Sequence, residues 1–211
     1  MSSPGAGIPP VGRGRVAAWA LWDSGATGVN AIVTTFGFNI YLISEVGKGL
    51  PGSTTPESWL GRAVLVAGIA VALLAPVTGV MVDAAYRRRR ALAALTGAVV
   101  VLTASMTFIK PDYHYLWIGL ALLAATAACM DLATVPYNAM LRQLSTPVTS
   151  GRVSGFGLAA GFFGSVVLLL LVFVGLKSGS GDTLGLLNVP NSDGKPDRYA
   201  VLAAAAWFVI F

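Results

Sequence analysis

Two carboxylates, Asp23 and Asp131, lie inside long apolar runs of this sequence, residues 16–43 and 115–141. An ionisable group in such a run is expensive to keep and by default marks a proton relay, a solute site or a water-filled path. Asp23 heads a stripe. At 100° per residue Thr27, Asn30, Thr34, Gly37 and Tyr41 all fall within about 40° of one line drawn through it. Asp131, Thr134 and Asn138 follow at i, i+3 and i+7, a shorter stripe on a second helix. Facing one another, the stripes would exchange protons and hydrogen-bond a polar solute between them. The alternative for each acid is a hydrogen-bonded or neutral group that only fixes helix packing. The single Cys129 excludes an intramolecular disulfide, and the single His114 excludes a multi-histidine metal centre. Cys129 reads as a small apolar helix residue and His114 as a turn residue. No nucleophile–base, metal or nucleotide motif is present, so no enzyme activity, cofactor or metal is expected.

The elements that carry these residues are membrane spans. Of 211 residues 55% are hydrophobic and 11% charged, against about 25% charged in soluble domains. Apolar runs at 16–43, 59–82, 91–109, 115–141 and 155–176 are each long enough to cross about 30 Å of hydrocarbon. A sixth run, 199–211, is short of the roughly 17 residues a span needs, which predicts a truncated sixth helix. The Pro- and Gly-rich residues 1–15 lack a signal-peptide hydrophobic region and are expected to form a disordered cytoplasmic tail. The predicted fold is all-α, a polytopic membrane helix bundle, with a transmembrane half-domain over 16–211.

Charge gives the sidedness. One set of alternate loops gathers Arg13, Arg15, Arg87, Arg88, Arg89, Arg90, Arg142 and Arg152 against Asp83 alone, while the other balances six basic residues with six acidic ones. The positive-inside rule then places the N-terminus in the cytoplasm of a multi-pass protein of the plasma (inner) membrane. The net charge of +5 is thereby explained without nucleic acid. Trp19 and Trp22 on the inner side, and Trp59, Tyr113, Tyr115 and Trp117 on the outer, are expected in interfacial belts. On these depths Asp23 lies about 12 Å along its helix from Arg15, and Asp131 about 16 Å from Arg142.

Three further features stand out. Gly79, Asp83 and the run Arg87–Arg90 occupy the loop between the second and third runs, where four arginines also serve as a topology anchor. Pro76 and Pro136 lie within helical runs and permit kinks. Gly157, Gly161 and Gly164 give the fifth run a small-residue face for close helix contact.

Several of these segments resemble one family. Trp19-Ala20-Leu21-Trp22-Asp23, followed by Thr34-Thr35-Phe36-Gly37-Phe38, resembles the Trp-x-Leu-Tyr-Asp opening of the vacuole-effluxer family, the autophagy-related permeases and their bacterial relatives in the major facilitator superfamily. Tyr137-Asn138-Ala139-Met140-Leu141 is similar to that family's Tyr-Asn-Ala-x-Leu. Gly151-Arg152-Val153-Ser154-Gly155 resembles its lead-in to the fifth helix, and Arg198 to Phe211 the start of its sixth. Gly79 to Asp83 with the arginines resembles the superfamily's Gly-x-x-x-Asp loop, in which the Asp caps and pairs charges at the cytoplasmic gate; here Ala84 replaces a basic residue. The helix 4 segment also resembles that of glycoside-cation symporters, in which an acid stands two before the proline; here Thr134 holds that place.

The resemblance implies a twelve-helix fold of two six-helix halves with solute bound between them. This chain corresponds to the N-terminal half, so the expected partners are the bilayer, a small solute, protons, and either a missing C-terminal half or a second copy. The expected function is secondary-active transport of a small polar solute by alternating access, amino acids being suggested by the resemblance alone. A sugar carrier of the symporter type and a non-transporting scaffold using the helix 5 glycine face are the competing readings.

Overall fold

The computed structural model describes residues 12–81 and 85–211. Asp83 and residues 1–11 of the expected tail therefore lie outside the described residues. Six helices carry the fold: α1 (Arg13–Val46), α2 (Pro56–Met81), α3 (Ala85–Ser105), α4 (Leu116–Leu144), α5 (Ser150–Val172) and α6 (Lys195–Ile210). The first five, with the short 3₁₀ and π turns that extend them, are long and apolar enough to cross a membrane. The protein is an all-α polytopic membrane bundle. Its outward apolar side chains, such as Leu73, Val80 and Phe163, are 70–73% exposed, as a surface bathed in lipid tails requires.

Helix boundaries differ from expectation at both ends. Arg13 to Arg15, expected in the tail, already form the first turn of α1. α6 starts at Lys195 instead of Tyr199, because Pro196 suits a first helical turn that has no use for its missing N–H. Pro76 and Pro136 lie inside α2 and α4 without ending them.

α1 is the hub, and four side-chain hydrogen bonds fasten it to its neighbours. Trp22 Nε1 donates to Thr96 Oγ1 of α3 at 3.0 Å, and Trp19 Nε1 to the Tyr137 carbonyl of α4 at 3.1 Å. Ser24 Oγ donates to the Ala160 carbonyl of α5 at 2.7 Å, while Trp207 Nε1 of α6 reaches the Ser24 carbonyl at 3.2 Å. Between helices in lipid such bonds replace the missing hydrophobic drive. Trp19 and Trp22 are therefore core residues, 7% and 8% exposed, and not members of an interfacial belt. Trp117 of the outer pair is 49% exposed and meets Trp59 edge-on at 4.6 Å.

The glycine face of α5 lies against α1. A side chain at Gly157 would meet the Trp19 ring, one at Gly161 the Asp23 carboxylate and Thr27 hydroxyl, and one at Gly164 the Ser24 backbone. With α1 seated there, this face is not open to another membrane protein, and the scaffold reading loses its proposed surface.

The end of the bundle opposite the arginines is capped by an ordered segment. Strands β1 (Thr183–Leu184) and β2 (Val189–Pro190) pair antiparallel. Lys177 Nζ lies 2.5 Å from Asp197 Oδ1, and Arg198 Nε donates to the Thr107 carbonyl at 2.6 Å. Tyr41, 1% exposed, donates its hydroxyl to the Ile109 carbonyl at 3.0 Å. Tyr41→Phe removes that donor and is expected to cost about 1 kcal/mol, seen as a Tm lower by a few degrees in detergent. An unchanged Tm would show that the bond does not contribute. On the same end, the backbone N–H of His114 and then its ring hold the Asp112 carboxyl below its ordinary range. That fixes His114 as a turn residue.

Candidate functional site

α1 and α4 enclose a cavity of about 230 Å³ whose wall includes Asp23, Thr27 and Asn30 from α1 and Asp131, Thr134 and Asn138 from α4. Six of the nine residues of the two stripes thus share one space. Asp23 and Thr27 are half-buried, whereas Asn30, Asp131, Thr134 and Asn138 are exposed. The polar wall consequently faces outward from the six-helix bundle on one side. Thr134 Oγ1 donates to the Asp131 carbonyl at 2.6 Å, which ties that hydroxyl to its own helix. Neither carboxylate forms an ion pair among the described residues.

Thr34, Gly37 and Tyr41 are the exceptions. Between Asn30 and Gly37 the backbone of α1 changes to π-helical turns over Ala31–Phe36, whose wider winding advances each residue through a smaller angle. The 100° stripe is therefore broken after Asn30. Gly37 faces a separate space beside Leu169 and Ala200, and Tyr41 points to Ile109. At Gly37 a side chain would run into the Ile32 carbonyl, so the bend that follows the π turns depends on glycine there.

Two aromatic residues that the stripes did not indicate complete the wall. Tyr137 stacks on Trp19 with ring centroids 4.5 Å apart and planes 2° from parallel, and its other neighbour is Trp22 at 4.4 Å. Both Trp22 and Tyr137 line the cavity. Tyr137 is 6% exposed, and its hydroxyl is buried without a hydrogen-bond partner among the described residues. Tyr137 lies about 120° from Asp131 around α4, so angular position alone passes over it; its adjacency to Asn138 and the reach of its ring are the signals that could have found it.

Arg87 to Arg90, expected in the loop between the second and third runs, instead lie in the first turns of α3, arranged around Tyr86 and α4. Arg87 and Arg90 place their guanidinium groups 5.8 and 5.7 Å from the Tyr86 ring centroid, within cation–π range. Arg88 Nη1 donates to the Ala139 carbonyl at 3.3 Å. Arg89 lines a different space with Trp22 and Phe208. Gly79 sits near the end of α2, where a Cβ would meet nothing within 4 Å among the described residues, and the Asp83 that would complete a gate lies outside them.

No family model matches the chain, and no solved structure matches it. It is similar to the uncharacterized MFS-type transporter YxiO of Bacillus subtilis (strain 168), with 24% identity over 195 residues. The alignment covers 92% of this chain and 44% of that protein, so the chain spans a little under half the length of the relative. That likeness supports the major facilitator superfamily, and the integral multi-pass bundle that the helices form is consistent with half of such a fold.

Proposed function

We propose that this chain forms one half of a secondary-active carrier that moves a small polar solute by alternating access. The observation that carries this reading is the cavity between α1 and α4, which gathers two carboxylates and five hydroxyl or amide side chains within an otherwise apolar bundle. A purely structural pair of acids has no need of a shared, solvent-sized space. The exposed Asn30, Asp131, Thr134 and Asn138 call for a facing wall, supplied by a second six-helix half of the same polypeptide or by a second copy. Rocking of the two halves about the site would open it to each side in turn.

Within this reading Asp23 is the protonatable group, because it is the more enclosed carboxylate and has no cationic partner among the described residues. Arg87 to Arg90 in the first turns of α3, with Gly79 near the end of α2 and Asp83 between the two helices in sequence, form the cytoplasmic gate. Amino acids are the solutes that the vacuole-effluxer resemblance suggests.

The test is proton movement, under an imposed pH gradient, in proteoliposomes that hold this chain together with its facing six-helix half. One class among amines, amino acids and sugars should dissipate the gradient saturably when added outside. A dissipation rate equal to that of empty liposomes for every class would contradict the proposal. Its sidedness has a separate check: cysteine at the exposed Ser180, in a Cys129→Ala background, should react with an impermeant thiol reagent on intact cells. Labelling only after lysis would invert the orientation.

A further inference from the structure

Among the described residues the cavity wall holds two acids and neither Lys, Arg nor His, so no cation among them offsets the negative charge of Asp23 and Asp131. In a low-dielectric bundle, two unpaired carboxylates beside one cavity strongly favour a positively charged occupant. The second observation is independent of the acids. Tyr137 lines the cavity, and its hydroxyl, on a side chain only 6% exposed, is buried without a partner among the described residues. A buried hydroxyl left unpaired costs stability unless something completes it. Beside it the Trp22 ring gives a face that attracts organic cations.

We infer that the solute carries an ammonium group, which Asp23 and Asp131 hold by charge while Tyr137 accepts one of its N–H bonds and Trp22 flanks its carbon chain. This rests on the transport reading above and narrows it to small organic amines, in place of the amino acids that the family resemblance suggests. A solute bearing its own carboxylate would place that group against two like charges. The aromatic wall favours an organic ammonium over a hydrated inorganic ion, which would gain little from ring faces. About 230 Å³ of space suits a molecule of a few carbon atoms.

The probes are 1,4-diaminobutane, its neutral isostere 1,4-butanediol and sodium chloride at matched ionic strength, with the thermal stability of the purified protein in detergent as readout. Ligand that binds the folded state raises Tm in a concentration-dependent way. The diamine should raise it saturably and the diol should not. Asp23→Asn should shift the half-saturating diamine concentration at least tenfold, Asp131→Asn and Tyr137→Phe several-fold. Equal responses to diol and diamine, saturation by sodium with no further effect of diamine, no response to any probe, or unaltered diamine dependence in both Asn variants would each overturn the inference. The two claims fail separately. Proton-coupled transport of a neutral solute would leave the carrier standing and remove the ammonium site, whereas diamine bound but never moved would do the reverse.

Discussion

Asp23→Asn should leave the protein folded yet reduce gradient-driven solute accumulation to simple equilibration. The amide occupies the same volume beside Gly161 and Thr27, so the contact of α1 with α5 survives. It cannot take up and release a proton, so the gradient no longer does work on the solute. Each pH unit of gradient is worth about tenfold in accumulation for one coupled proton, and the variant should bring the internal-to-external ratio to about one. Asp131→Asn should act more mildly, because that carboxylate is exposed on the bundle and Asp23 is not. A residue that only held helices together would behave otherwise: it would tolerate Asn in transport and fail with Leu, which leaves its partner unsatisfied. The measurement is pH-dependent uptake at matched membrane expression. Wild-type accumulation in Asp23→Asn would remove the central residue of the mechanism.

The largest effect on the fold is expected from Gly164→Leu. A Cβ at this position would lie 2.6 Å from the Ser24 Cβ and 3.0 Å from its Cα, closer than carbon atoms approach. A long flexible neighbour could swing away, but a backbone atom of α1 cannot move without the helix. Separating α1 from α5 also breaks the Ser24–Ala160 bond and strains that of Trp207 to the Ser24 carbonyl. Overpacking of this kind costs about 1–3 kcal/mol, and here the lost interhelical bonds add to it. The matched control is Gly68→Leu on α2, where nothing lies within 4 Å of the added Cβ; the longer side chain should enter lipid and leave Tm close to wild type. If both variants expressed and melted alike, the close approach of α1 and α5 would be wrong.

Hydropathy and periodicity carry far in this chain because the bilayer reduces the choice of structure to helices. The five long spans and the Asp23–Thr27–Asn30 and Asp131–Thr134–Asn138 alignments are readable from spacing, since each depends only on residues of one helix. Where a feature depends on a partner distant in sequence, spacing is silent. Trp19 and Trp22 have the amphipathic rings of interfacial residues, and only the position of Tyr137, more than a hundred residues away, turns them into core. Thr34 was lost to the stripe because a π turn is a property of packing around α1 and leaves no mark in composition. The segment 177–198 reads as a loose Gly/Ser/Asn loop, yet the Lys177–Asp197 and Arg198–Thr107 contacts hold it against the bundle end.

The claim on which the account depends is that the space between α1 and α4 is an aqueous path and not a dry packing defect. Cysteine accessibility measures this directly. In a Cys129→Ala background, Asn30→Cys, Asn138→Cys and, as a lipid-facing reference, Leu73→Cys, at a position 70% exposed on α2, are treated with a small charged thiol reagent that dissolves only in water. The account predicts rapid modification at residues 30 and 138 and slow modification at 73. Reaction at 30 and 138 no faster than at 73 would show that water does not reach the two stripes and would contradict it.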